Sequence, residues 1–319
     1  MRVYRWDLDK TYLDTDFESV RGLFRSAVES ARSKRAIPGA TALLRELARE
    51  RPGWRPRIVL LSGSPVQMRT VLEQKLRMDG IRWDEFSLKD TLGSIKRGRF
   101  RAIKDQFGYK LPRLLEGRIG MGPAVREILF GDDAEADALI YSVYADVVAG
   151  RVAPVELSRL MEAAGAYSDA IVAALAAQKR LARAEAVERI FIRLDRGVER
   201  WSFDGLLPRV VPVRSWFEAA LVLAASGELE PDALARVHDA GTYGEVEVLD
   251  AAGEMLRRGA VTPSALDSLA LRVEPHGLAA VLRRAAKDTV LPAPRELPPA
   301  MDYLELVRAW KARGKVDKK

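Results

Sequence analysis

Short apolar runs alternate with segments of helical spacing through the first half of the chain. Runs rich in β-branched residues and leucine are typical of strands buried on both faces of a sheet, whereas apolar residues three and four positions apart indicate helices. The predicted strands are residues 3–6, 58–61, 83–88 and 127–130, and the predicted helices are residues 17–32, 40–50, 66–78, 110–116 and 135–148. Strands that alternate with helices indicate βαβ units. We therefore predict an α/β fold with a Rossmann-like parallel sheet.

The pattern changes after Gly150, where helical periodicity dominates. One further strand is predicted at residues 189–193, and the C-terminal part that follows is predicted to be mainly helical. On this basis we divide the chain into a core of residues 1–195 and a helical C-terminal region of residues 196–319.

Composition narrows the chemistry that the chain can perform. With 48% apolar residues, the 319-residue chain can form a full hydrophobic core. Cysteine is absent, which excludes disulfides, thiolate catalysis and cysteine-based zinc sites. Histidine occurs only twice, at His238 and His276. This scarcity disfavours a histidine-rich metal centre and a Ser-His triad. Chemistry must therefore rest mainly on carboxylates, lysines, arginines and hydroxyls.

The charge balance has two equally good explanations, an anionic partner and a bias in composition. Lys and Arg outnumber Asp and Glu by 52 to 45, a formal net charge of +7. A positive field attracts phosphates, nucleic acid and acidic membrane surfaces without choosing among them, and a compositional bias towards arginine explains the excess equally well. No stretch approaches the roughly 18 apolar residues of a membrane-spanning helix, and the first residues lack the apolar segment of a secretion signal. We expect a cytoplasmic protein without a transmembrane segment and leave its oligomeric state open.

Polar and acidic clusters directly follow three of the predicted strands. They are Asp7, Asp9 and Thr11 after the first strand, Ser62, Gly63 and Ser64 after the second, and Asp132 and Asp133 after a later one, with Asp137 close behind. Because ligand sites in open parallel sheets lie beyond the carboxyl ends of the strands, the clusters are expected to converge on one edge. Simpler interpretations stay open, since the serines could cap the next helix and Asp137 could be an N-terminal helix charge favoured by the macrodipole.

Crowded carboxylates repel one another, and a hard divalent cation removes this conflict. Asp7 and Asp132 could bind the cation through oxygen, with waters completing the octahedron that Mg²⁺ prefers. The cation would neutralise an incoming phosphate and align its phosphorus for attack by a carboxylate. Asp9, in a turn two residues further on, could protonate the leaving oxygen and then activate water.

A hydroxyl and an ammonium group complete the predicted site. Ser62 and Lys110 could stabilise charge on the transferring phosphoryl oxygens. We prefer Lys110 to its rival Lys104, and to the more distant alternative Lys89, because Lys110 opens a helix with apolar spacing upstream of Asp132. A plain surface lysine is the alternative interpretation of Lys110.

The order of these residues resembles the four sequence motifs of the haloacid dehalogenase (HAD) superfamily of phosphatases. The motif residues are Asp7, Asp9 and Thr11, then Ser62, then Lys110, and last Gly131, Asp132, Asp133 and Asp137. The spacing is similar to that of the actin-patch-type phosphatidate phosphatase catalytic domain, whose features are matched by Ser62, Ser64, Pro65, Tyr141 and residues 190–193. The resemblance covers about residues 1–195. It implies a HAD-like core with an enlarged helical insertion at about residues 153–188.

The resemblance also implies roles for these residues. It implies that Asp7 is the nucleophile that forms an aspartyl phosphate and that Asp9 is the acid and base. Ser62, Gly63 and Lys110 are the predicted phosphate-binding residues.

A magnesium ion is implied on Asp7, the backbone carbonyl of Asp9 and Asp132. Asp133 departs from the serine that is usual at its position, so either Asp132 or Asp133 could be the main metal ligand. We therefore predict a metal site built from Asp7, Asp9, Asp132 and Asp133. Lys10 is a second departure, which adds a cation beside the nucleophile.

The leading hypothesis is a Mg²⁺-dependent phosphomonoester hydrolase that acts through an aspartyl phosphate on Asp7. The stretch between the second and third motifs leaves no room for a large separate cap domain. This favours a bulky phosphorylated substrate, namely a lipid head group, a phosphoprotein or a nucleic-acid end. A phosphatidate-type lipid phosphatase at a membrane surface is the second hypothesis, and a non-catalytic phosphate-binding scaffold is the third.

Overall fold

The computed structural model describes residues 1–14, 34–90, 106–134, 136–195, 203, 206, 209–293 and 301–316. Within these ranges, six strands form one sheet in the order β3-β2-β1-β4-β5-β6, and all neighbouring strands are parallel. The strands are β1 (Arg2–Asp7), β2 (Arg57–Pro65), β3 (Glu85–Lys89), β4 (Arg126–Asp132), β5 (Val187–Arg193) and β6 (Val210–Val213). The predicted α/β class with a Rossmann-like parallel sheet is confirmed.

Helices link the strands and continue beyond the last one. In the described ranges they are α1 (Ala40–Leu47), α2 (Arg69–Met78), α3 (Phe107–Glu116), α4 (Asp137–Ala149), α5 (Pro154–Ala164), α6 (Ser168–Gln178), α7 (Trp216–Ala225), α8 (Pro231–Gly241), α9 (Glu245–Arg257), α10 (Pro263–Arg272), α11 (Ala279–Asp288) and α12 (Tyr303–Val316). None of these helices combines the length and the apolar character needed to cross a bilayer.

The strand order reverses at β1, since the chain runs outward through β2 and β3 and then returns to the other side of β1 at β4. Ligands of open α/β sheets bind at such a reversal, beyond the carboxyl ends of the strands. The register aligns Asp7 with Leu61 on one side and Trp6 with Phe130 on the other. The residues that follow β1, β2 and β4 therefore meet at one edge.

Each face of the sheet is covered by its own set of helices. Helices α1, α2 and α7 to α11 pack on one face, where Trp6, Phe130 and Phe191 lie, whereas α3 to α6 and α12 pack on the other, where Leu129 and Ile190 lie. The rings of Trp6 and Phe130 stack with centroids 4.3 Å apart. Because both faces are buried, the strands carry the continuous apolar runs seen in the sequence.

Strands were found at all five predicted positions, but β6 was not predicted. Its four residues include Pro212, which lacks a donor for a strand ladder and is tolerated here because β6 is an edge strand. β6 pairs with β5, so the sheet continues past residue 195. The proposed division of the chain at that residue stays a prediction, and the helix predicted at residues 17–32 lies outside the described residues.

Candidate active site

Asp7 is the last residue of β1, and the chain turns sharply after it. The N–H of Leu8 donates to Leu61 O (3.0 Å), and Leu8 O accepts from Leu13 N–H (2.8 Å). These bonds hold the turn against the end of β2. The carboxylates of Asp7 and Asp9 are buried here, with 0% and 4% of each residue exposed.

The turn is fixed to β5 through its backbone. Lys10 has a left-handed backbone (φ 57°), which costs a residue with a side chain about 1 kcal/mol or more. Arg193, the last residue of β5, donates to Lys10 O (2.8 Å) and pairs with Asp195 (2.7 Å). Burial acts to raise the pKa of Asp195, but the hydrogen bond and charge of Arg193, with the charge of Lys10, hold it below its ordinary value. The Arg193–Asp195 ion pair that holds the turn therefore stays charged.

Two serine hydroxyls orient the Asp9 carboxylate. Ser62 Oγ donates to Asp9 Oδ2 (2.7 Å) and Ser64 Oγ donates to Asp9 Oδ1 (2.9 Å). The half-buried Gly63 separates the two serines in β2, and residues two positions apart in a strand face the same side. Asp9 therefore has a fixed orientation at the edge of the sheet.

Lys110 is fully buried and lies between two carboxylates. Its Nζ is 2.8 Å from Asp7 Oδ1 and 2.5 Å from Asp137 Oδ1. Helix α3 positions it by burying one apolar face, which includes Phe107 and Leu111, against the sheet. An ammonium this close stabilises the ionised form of both carboxylates.

Three buried carboxylates form a compact group next to this lysine. Oxygen atoms of Asp7, Asp132 and Asp137 all lie within 4.8 Å of one another. Asp132 ends β4 and accepts from Thr11 Oγ1 (3.2 Å), and Asp137 begins α4. Carboxylates packed this closely in a buried site repel one another. This donor set fits a hard divalent cation, which prefers carboxylate oxygen.

The structure brings Asp7, Asp9, Ser62, Lys110 and Asp132 together, as the sequence predicted. Neither Asp9 nor Asp133 belongs to the three-carboxylate group found among the described residues. Asp133 Oδ1 instead accepts from the N–H of Asp195 (2.6 Å). Metal binding by the backbone carbonyl of Asp9 and by Asp133 therefore stays a prediction, as do the phosphate-binding roles of Ser62, Gly63 and Lys110. Lys104, the rival to Lys110, lies outside the described residues.

The sequence left the function of Asp137 open, and the contribution of Trp216 to the site was not predicted. The contact with Lys110 gives Asp137 a place in the site as well as at the start of a helix. Trp216, predicted as a core aromatic of the C-terminal region, donates from Nε1 to Thr11 O (2.9 Å) and so supports the turn.

Residues 6–157 match the family model of the phosphatidate phosphatase APP1 catalytic domain, a HAD-like family. The matched segment contains the end of β1, all of β2 to β4 and every residue of the site just described, except Trp216 and the Arg193–Asp195 ion pair. No curated protein and no solved structure matches the chain.

The match confirms the resemblance to the HAD superfamily and, within it, to phosphatidate phosphatase catalytic domains. The parallel sheet, the buried carboxylates at its carboxyl edge and the family match together identify an enzyme of the phosphatase class. Its substrate, metal and reaction intermediate are matters for proposal.

Proposed function

We propose that the chain is a Mg²⁺-dependent phosphomonoester hydrolase that acts through an aspartyl phosphate on Asp7. One observation carries the proposal: Asp7 is buried beside the Lys110 ammonium and two further carboxylates, with the serine-bound Asp9 two residues away. This arrangement combines an ionised nucleophile, an oriented acid and a set of metal ligands.

The metal would be held by the carboxylates of Asp7, Asp132 and Asp137. The close approach of their oxygens and their burial support this ligand set. When bound, Mg²⁺ supplies charge that offsets the carboxylates and the phosphate, so that two anions can meet in a site of low polarity.

Asp7 performs the first chemical step. One of its carboxylate oxygens attacks phosphorus, the bond from phosphorus to the ester oxygen breaks, and an aspartyl phosphate forms. Lys110 favours this step because its ammonium, 2.8 Å from Asp7 Oδ1, stabilises the carboxylate form of the nucleophile. Asp9, held by Ser62 and Ser64, gives its proton to the departing ester oxygen.

The second step releases phosphate. Asp9, now a carboxylate, removes a proton from a water molecule that attacks the phosphorus of the aspartyl phosphate. The bond between phosphorus and Asp7 breaks, which restores both carboxyl groups to their starting states. A single carboxyl group thus serves as acid and then as base.

The nucleophile is tested by replacing Asp7 with Asn, which keeps the shape of the side chain. With p-nitrophenyl phosphate and Mg²⁺, we expect turnover to fall by about 10³-fold or more, since covalent catalysis is lost. The exposed Asp239, on α8, offers a matched control, and Asp239→Asn should keep wild-type turnover. Undiminished turnover by Asp7→Asn would refute the assignment.

The acid and base is tested by Asp9→Asn with the same substrate. Nitrophenolate leaves without a proton, so the first step should proceed while the second becomes slow. We expect a burst of one nitrophenolate per enzyme followed by slow turnover, and phosphate that hydroxylamine releases from the protein. A uniform slow rate without a burst would argue against two separate steps.

For the substrate we propose a phosphomonoester on a bulky carrier, with a lipid phosphate as the first candidate. The family to which residues 6–157 are matched is named for phosphatidate, and the chain carries a formal net charge of +7. Phosphatidate in anionic vesicles should be hydrolysed more efficiently than a soluble sugar phosphate. A preference for the sugar phosphate would overturn this, and magnesium and phosphate binding without turnover of any ester would favour a scaffold.

A further inference from the structure

Tyr109 presents an unusual buried hydroxyl beside the proposed active site. It lies in the first turn of α3, next to Lys110. Its Oη is shielded from solvent and makes no hydrogen bond within the described part of the chain. Buried polar atoms are almost always paired, because an unpaired one loses its hydrogen bonds to water without replacement. A lone buried hydroxyl therefore suggests a partner that is absent from the free protein.

The surroundings of Tyr109 indicate what such a partner would be. Lys89, at the carboxyl end of β3, places its Nζ 5.7 Å from the centre of the Tyr109 ring. Burial is the main factor that raises the pKa of Tyr109; Lys110 opposes it, and the charges of Asp7 and Asp9 raise the pKa further. The hydroxyl thus stays protonated, as a donor, within the electrostatic reach of both proposed catalytic carboxylates.

We propose that Tyr109 is a substrate-contacting residue whose hydroxyl donates a hydrogen bond to an oxygen of the phosphoryl group at Asp7. The proposal rests on the proposed function, since it needs a phosphomonoester at that position. The ammonium of Lys89 lies near the ring, and Lys110 is the next residue of α3. Both carry positive charge that suits an anionic acceptor. A phosphoryl oxygen would pair the hydroxyl and increase in negative charge as the reaction proceeds.

Removal of the Tyr109 hydroxyl should lower activity without lowering the stability of the free protein. Tyr109→Phe removes only the hydroxyl, so the free protein should keep its Tm or gain slightly, because an unpaired buried polar atom is removed. A bond to a charged oxygen is lost, so kcat/KM for p-nitrophenyl phosphate should fall roughly ten- to hundred-fold. The inhibition constant of inorganic phosphate in Mg²⁺ should rise by a similar factor.

Tyr303→Phe is the matched control. The Tyr303 hydroxyl is also buried, but it donates to Asp146 Oδ2 (2.6 Å), and Asp146 lies nine residues beyond Asp137 on α4. This variant should lower Tm and leave kcat/KM and phosphate inhibition unchanged. Comparison of the two variants therefore distinguishes a hydroxyl that binds a ligand from one that stabilises the fold.

Wild-type kcat/KM and phosphate inhibition in Tyr109→Phe would overturn the proposal, as would a fall in Tm that accounts for the lost activity. The proposed function fails by a different result, namely full turnover by Asp7→Asn. An active wild type, an inactive Asp7→Asn and an unaffected Tyr109→Phe would remove Tyr109 alone from the site.

Discussion

Two buried clusters of charged residues lie on the same face of β1, one around Arg5 and the other around Asp7. They differ in how their carboxylates are paired. Around Arg5, the Glu127 carboxylate accepts from Arg5 Nε (2.7 Å), an Arg118 guanidinium nitrogen (2.9 Å) and Tyr144 Oη (2.7 Å). Around Asp7, the described residues place three carboxylates close together, and the Lys110 ammonium contacts two of them.

The contrast separates a cluster that stabilises the fold from one that serves a ligand. Although burial acts to raise the pKa of Glu127, the charge and hydrogen bond of Arg5, with Tyr144 and Arg118, hold it below its ordinary value. That cluster meets the needs of its carboxylate with protein groups alone. The carboxylates of Asp7, Asp132 and Asp137 are packed closely enough to repel one another, and a bound cation would relieve that repulsion.

The largest effect is expected from Glu127→Gln, which removes one charge and leaves two guanidinium groups facing each other in the core. We expect a loss of about 3–5 kcal/mol in the free energy of unfolding, as for other broken buried ion pairs. The equivalent change in the site, Asp7→Asn, should cost no more than about 1 kcal/mol, since it relieves repulsion among carboxylates. Urea unfolding of both variants at neutral pH measures the difference, and equal losses would erase the contrast.

Magnesium should stabilise the protein by binding the folded state. At about 100 times its dissociation constant, the ion should add about 2.7 kcal/mol to the free energy of unfolding. Thermal unfolding with Mg²⁺ and with EDTA checks this. Asp132→Asn should abolish the difference, whereas Asp133→Asn should retain most of it because Asp133 accepts from Asp195 N–H. The reverse order would make Asp133 the main ligand.

Gly131→Ala should disturb the site more than the fold. A methyl group at Gly131 would lie 2.5 Å from Asp137 Oδ2 and 2.7 Å from Asp137 Cβ, so Asp137 must move. Because supporting changes at metal sites typically cost about ten- to hundred-fold in affinity or activity, we expect such a fall in kcat/KM and in Mg²⁺ affinity. Gly122→Ala, where a methyl group meets nothing within 4 Å, is the control and should behave as the wild type.

The smallest effect is the pH dependence of stability. The pKa of Glu127 lies below its ordinary value of 4.5 when folded, so its contribution is complete above about that pH and is lost as the pH falls through the lower folded value. The slope is at most about 1.4 kcal/mol per pH unit for one proton. Urea unfolding between pH 7 and pH 3 should show this loss in the wild type, and Glu127→Gln should show less of it. Equal slopes would mean that Glu127 titrates alike in both states.

The sequence by itself determined the sheet and most of the site. Continuous apolar runs occur because both faces of a parallel sheet are buried, and polar residues follow them because the carboxyl ends of parallel strands share one edge. Knowing the order of Asp7, Ser62 and Asp132 along the chain was therefore enough to predict that they meet. The short edge strand β6 was missed, because four residues that include a proline carry too little of the strand pattern.

Only the tertiary structure decided which neighbouring side chains turn towards the site. Asp132 and Asp133 are adjacent and chemically alike, yet Asp132 joins Asp7 and Asp137 while Asp133 binds the backbone of Asp195. Tyr109 likewise gains meaning only from a buried hydroxyl that no sequence pattern marks. The physical reason is that periodicity specifies which face of an element is buried, whereas pairing between charged groups depends on distances set by the packing of elements far apart in the chain.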